Sequence, residues 1–134
     1  FAVVDWDSHQ EIERITQPEI PESERNAYGI QGAPAHGIKV SPDGKTIWST
    51  SKINGHVYAY SLPDLEYLGG VPVGVVPDWL TFTPDGKYLY SANAHSNTVS
   101  VIDVEAIKEV KVIPVGQVPK RNITAMLPSF PSGQ

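Results

Sequence analysis

Apolar and polar residues alternate along Ile38-Lys39-Val40-Ser41, and the same alternation returns at Leu80-Thr81-Phe82-Thr83. A period of two predicts a strand with one buried face. Each run leads into a Pro-Asp-Gly turn, at Pro42–Gly44 and Pro84–Gly86. Pro presets φ, Asp accepts the third turn position and Gly takes the fourth, so a type I turn and a hairpin follow. The second strand is expected over Thr46–Thr50 and Tyr88–Ala92, and the third over His56–Tyr60 and Thr98–Ile102. The polar turns SKING and NAHSN separate them. A fourth strand is expected near Tyr67–Val73 and Glu109–Val115; Pro72 and Pro114 cannot donate to a ladder, which suits an outer edge.

The two series are copies of one unit. A shift of 42 positions places Ile38 on Leu80, Val40 on Phe82, Ile47 on Leu89, Val57 on Val99 and Val73-Gly74 on Val115-Gly116, with no gap. The glycines at 32, 74 and 116 keep the same period. A supersecondary unit that repeats in this way must stack on its neighbours to bury its faces. Residues 1–15 also join the pattern, since FAVVDWDSHQEIERI aligns with VSVIDVEAIKEVKVI at an offset of 98. Two repeats account for all but 14 of those positions, so the acidic, proline-containing QPEIPESERNAYGI reads as an inserted loop.

The predicted organisation is therefore outer strands of one unit at 1–16, an inserted acidic loop at 17–31 and full four-stranded meanders at 32–74 and 75–116. The first strand of a further unit follows at 117–127, then a tail at 128–134. A four-stranded meander of about 42 residues has the size of one β-propeller blade. The string GVVPDWLTFTPDGKYLYSANAHSNTVSVIDVEAIKEVKVIPVG, Gly74 to Gly116, resembles a YVTN-type propeller repeat, with its PDGK hairpin, SNTVSVID and closing IPVG. The preceding unit is a looser match, with Ser51 in place of the Asn and HVYAYSL in place of TVSVID. The resemblance implies an all-β fold, part of a seven- or eight-bladed ring, and a periplasmic, cell-surface or extracellular address. Because rings use about four to eight blades, the remaining blades are expected from the same or another chain.

Composition narrows the partners. The 11 Gly and 12 Pro exceed average usage of about 7% and 5% and suit many short strands. A formal charge of −5 without a basic run disfavours nucleic acid. The absence of Cys excludes disulfides and thiolate metal sites, and no apolar run approaches the ~18 residues of a membrane helix.

Candidate chemistry lies where the innermost strands begin, on the face opposite the PDG turns. The repeat makes His36, Asp78 and Lys120 equivalent, and likewise Gly37, Trp79 and Arg121. A position that varies this widely in charge within a repeating scaffold is a binding-site candidate. His95 lies in a turn on the same face, and His36 with His95 could contribute to a site for copper or another transition metal. The competing structural readings are a hydrogen-bonded rim role for His36 and a solvated turn role for His95. Asp43 and Asp85 read as turn residues, Asp5 and Asp103 as strand-end caps, and His9 and His56 as structural. The aromatics at 48, 58, 60, 88 and 90 read as packing between blades. Asn122-Ile123-Thr124 matches a glycosylation sequon.

Two function classes follow. One is a binding or scaffold propeller that engages a protein or small ligand through its loop-rich face and channel mouth. The other is an enzyme, and resemblance to propeller enzymes implies either a copper-dependent oxidoreductase or a lactonase-like hydrolase. In the second, the histidines would be metal ligands, Asp78 an acid/base or ligand, and Lys120 or Arg121 the anchor of an anionic substrate.

Overall fold

A computed structural model describes residues 1–26 and 34–127. Gly32, part of the inserted loop and the tail lie outside the described residues. The fold is all-β. Strands β3 (Ala35–Val40), β4 (Thr46–Ser51), β5 (His56–Ser61) and β6 (Tyr67–Pro72) form one antiparallel meander, and β7 (Pro77–Phe82), β8 (Tyr88–Asn93), β9 (Thr98–Asp103) and β10 (Lys108–Pro114) form another. A separate two-stranded sheet pairs β1 (Ala2–Val4) with β2 (Glu11–Arg14). Each strand neighbours the next in sequence, so β3 and β7 occupy one edge of their sheets and β6 and β10 the other. This sheet order places Pro72 and Pro114 on outer edges, where a missing N–H costs least.

The turns form as their residues dictate. Ser41 donates its hydroxyl to Asp43 Oδ1 at 2.6 Å, while Lys45 N–H donates to the same carboxylate at 3.1 Å. Thr83, Asp85 and Lys87 repeat this network at 2.5 and 3.0 Å. Gly44 and Gly86 adopt φ of 73° and 72°, the left-handed conformation that costs glycine little. The donated hydrogen bonds hold both aspartate carboxyls below their ordinary value. Asp5 and Asp103 accept N–H bonds from Ser8 and Ala106 just beyond their strands, as strand-end caps should.

The main core lies between the two meanders. Trp48, Val57, Ala59 and Val71 face Leu80, Phe82, Leu89 and Ile102, all buried. Trp48 meets Phe82 edge-on at 6.4 Å between centroids, a preferred aromatic geometry. The other face of the first meander carries Tyr58 and Tyr60. Phe1 packs edge-on against Tyr60 at 5.6 Å, so the small sheet lies on that side. Burying each such large side chain contributes roughly 1.5–3 kcal/mol.

One expectation needs correction. The inner strands begin earlier than the alternation indicated, at Ala35 and Pro77 rather than Ile38 and Leu80. The pairing continues through a register shift between Ala35 and Ile38, and another between Pro77 and Trp79. Such a bulge interrupts strict alternation, which is why the pattern missed it. Residues 117–127 form no ladder among the described residues. They are tied to β7 instead by Thr124 N–H donating to Thr81 Oγ1 at 3.2 Å and the Thr124 hydroxyl donating to the Phe82 carbonyl at 2.7 Å.

Candidate functional site

The two bulges fall at equivalent points of the repeat, and each re-aims one charged or titratable residue. His36 lies within the first and Asp78 within the second. Gly37 lets the strands approach: a Cβ there would stand 2.6 Å from the Asp78 carbonyl oxygen and 3.1 Å from Trp79 Cα. No residue with a side chain fits without moving backbone. Buried Thr50, on β4, holds the junction by accepting the Gly37 N–H at 2.8 Å, with its hydroxyl 3.4 Å from the Asp78 carbonyl.

Asp78 is the centre of the site. Its side chain is 7% exposed, and Oδ1 lies 2.9 Å from both His36 Nδ1 and Lys52 Nζ. Lys52 is itself only 10% exposed, whereas the His36 side chain is 38% exposed. Neither contact meets hydrogen-bond geometry among the described residues, so Oδ1 retains unused acceptor capacity. His36 Nδ1 also lies 3.2 Å from the Asp78 carbonyl. A carbonyl oxygen can only accept, so this contact favours the Nδ1–H tautomer and leaves Nε2 for chemistry.

Lys52 is held by its backbone. The turn after β4 is gripped from the side of residues 17–26, the segment read as an insertion. Gln17 Nε2 donates to the Thr50 carbonyl at 3.0 Å, and Asn26 donates from Nδ2 to the Lys52 carbonyl at 2.6 Å and from N–H to the Ile53 carbonyl at 2.7 Å. Asn54 Nδ2 returns a bond to the Pro18 carbonyl at 2.9 Å. Lys52 N–H donates to the Pro34 carbonyl at 2.8 Å.

Trp79 forms the wall beside this cluster. Its ring meets His36 edge-on at 5.7 Å, and the Arg121 guanidinium stacks over it at 5.1 Å. The structure thus brings together His36, Asp78, Trp79 and Arg121. Lys120 is exposed just before the stacked arginine. His95 sits exposed in the turn between β8 and β9, its N–H bonded to the Val75 carbonyl at 3.1 Å. A catalytic metal takes about three protein ligands, and among the described residues no group of three or more His, Asp or Glu is placed to hold one. His56 is structural: its Nδ1 is 2.6 Å from the Asn54 carbonyl and its ring stacks on Tyr58.

Sequence reasoning missed Lys52 and Thr50. Their signal was a departure from the repeat, because Ala94 and Ala92 stand at the equivalent positions.

No curated protein matches the chain. Among solved structures, Kuenenia stuttgartiensis hydrazine synthase is 34% identical over 69% of this chain and 28% of its own, with a TM-score of 0.65. Dihydro-heme d1 dehydrogenase NirN is 26% identical over 87% of this chain and 23% of its own, with a TM-score of 0.62. A Bacteroides fragilis protein assigned as a 6-phosphogluconolactonase shares the fold at 23% identity, covering 81% of this chain and 30% of its own, with a TM-score of 0.64. The chain therefore spans less than a third of the length of each. Two meanders and a strand pair are fewer than the seven blades of such a ring, so further blades complete it. Residues 2–113 match the lactonase family of seven-bladed β-propellers, and the chain belongs to that family.

Proposed function

We propose that the ring to which this chain contributes hydrolyses a small lactone at the site centred on Asp78. The observation that carries this reading is the pairing of one buried carboxylate with His36 Nδ1 and Lys52 Nζ, both at 2.9 Å. Membership of the lactonase family supports the substrate class.

In this mechanism Asp78 orients His36, and His36 Nε2 accepts a proton from water. The resulting hydroxide attacks the lactone carbonyl carbon, the ring C–O bond breaks, and the imidazolium returns the proton to the departing alkoxide. Lys52 compensates the buried carboxylate throughout and keeps it from drifting toward solvent. Trp79 and Arg121 form the substrate wall, and Lys120 extends the positive rim. A positioned general base contributes about 10²–10⁴-fold. His36→Gln in the full-length protein is therefore expected to lower kcat by about 10²-fold or more with little change in KM. Turnover at the wild-type rate by that variant would overturn the assignment.

A binding module without turnover is the second reading, supported by a broad cleft that Gln17, Pro18, Arg25 and Asn54 help to line. Saturable ligand binding with no hydrolysis would select it. We also read the repeats as YVTN-type on the strength of Gly74–Gly116, and that resemblance favours a periplasmic or cell-surface address.

A further inference from the structure

Beside the Asp78 cluster, Lys39, Trp79, Leu80, Thr81, Arg121 and Ile123 line a cavity of about 320 Å³. Its walls come from equivalent places in the repeat: Trp79 and Arg121 share one position, and Lys39, Thr81 and Ile123 share another. Lys39 and Arg121 thus share one cavity with the Trp79 indole, and among the described residues no acidic side chain lines it. The nearest carboxylate along the chain, Asp78, is already shared by His36 and Lys52. Among the described residues neither Lys39 nor Arg121 pairs with a carboxylate, although the chain carries 15 acidic side chains against 10 basic ones.

The arginine is preorganised. The guanidinium lies over the Trp79 ring at 5.1 Å, a cation–π contact that restrains an otherwise exposed side chain. A fixed fork of donors suits the paired oxygens of a carboxylate or phosphate, and Lys39 adds a mobile point charge. Asn122 is tied to the Tyr90 carbonyl through Nδ2 at 3.1 Å, and Thr124 to β7, so the segment that carries Arg121 is anchored to the second meander. Trp79, Leu80 and Ile123 supply an apolar wall for the body of the ligand.

We infer that this cavity is an oxyanion-binding subsite, taking a small ligand with a carboxylate or phosphate group joined to a flat or apolar body. The inference deepens the proposed site and rests on that reading for its role. Its geometry is independent of the hydrolytic step.

The test is calorimetric titration of the full-length protein with benzoate, phenyl phosphate and neutral benzamide. Either anion is expected to bind at least about tenfold more tightly than benzamide, and tighter binding of phenyl phosphate than of benzoate would identify a phosphate ester as the preferred source. Lys39→Gln and Arg121→Gln should each weaken the preferred anion about tenfold, with benzamide affinity and Tm unchanged, because both side chains are exposed. Equal affinity for benzoate, phenyl phosphate and benzamide would overturn the inference, as would wild-type anion affinity in the double variant or failure of both anions to bind. Turnover is not read in these titrations, so loss of the lactonase reading and loss of the anion subsite are separate results.

Discussion

The two full meanders share strands, turns and core positions, yet they differ sharply at one end. In the first, the turn after β4 carries Lys52 and is held by Gln17 and Asn26 from outside the sheet. In the second, the equivalent turn carries Ala94 and is held by the segments that lead into and out of its own meander. Ser96 Oγ accepts the Val75 N–H at 2.7 Å, and Asn97 Oδ1 accepts the Val118 N–H at 2.9 Å. The first meander contributes Gly37 where strands must touch, and the second contributes Trp79, which walls the site. A repeat can thus keep one architecture through its apolar positions and turns while specialising each copy at the ends of its inner strands.

The largest expected break in this comparison is at Asp78. Asp78→Ala leaves Lys52 buried without its counter-charge, and removing one partner of a buried pair costs about 3–5 kcal/mol. Urea denaturation should register that loss, and the Asp78→Leu, Lys52→Met double variant should recover most of it. A loss below about 1 kcal/mol would mean that the pair is solvated as a surface bridge is.

A smaller effect separates the two turns. Asn26→Ala removes the side-chain bond to the Lys52 carbonyl and should cost about 1 kcal/mol. Hydrogen exchange should quicken in the Lys52–Gly55 turn and not in the Ala94–Asn97 turn. Ser96→Ala should do the reverse. Exchange that rises equally in both turns for either variant would show that the turns are not separately held.

The smallest effect concerns the outer face of the first meander. Tyr60 is 3% exposed, and among the described residues its buried hydroxyl has no hydrogen-bond partner. Burial, reinforced by Tyr67 and Tyr58, pushes the phenol up to about 12 from an ordinary value of 10.0. A raised folded-state value means that the neutral form is favoured in the fold. Its contribution is complete below pH 10.0 and is lost as pH rises toward about 12. Tyr60→Phe should be neutral or up to about 1 kcal/mol more stable at pH 7, and should flatten the alkaline fall in a denaturation series. Ile102 occupies the equivalent place in the second meander and has nothing to titrate.

Much of this architecture was legible because its causes are local. Period-two alternation and Pro-Asp-Gly chemistry act over a few residues, so the strand order and hairpins could be read directly. The repeat also identified His36, Asp78, Trp79 and Arg121 as occupants of special positions. Lys52 was not legible as their partner. It is separated in sequence from both His36 and Asp78, and only the packing of β4 and β7 brings its ammonium to the carboxylate.

The amino-acid order alone determined a stacking unit with one apolar face toward each neighbour, since alternation and turn residues carry that information within each copy. Only the tertiary structure decided which charged groups meet. Two bulges and a glycine set the separation of the inner strands, and a charge contact a few ångströms long depends on that separation rather than on residue type. The buried Asp78–Lys52 pair is stable for the same reason, because neither charge could be desolvated without the other beside it.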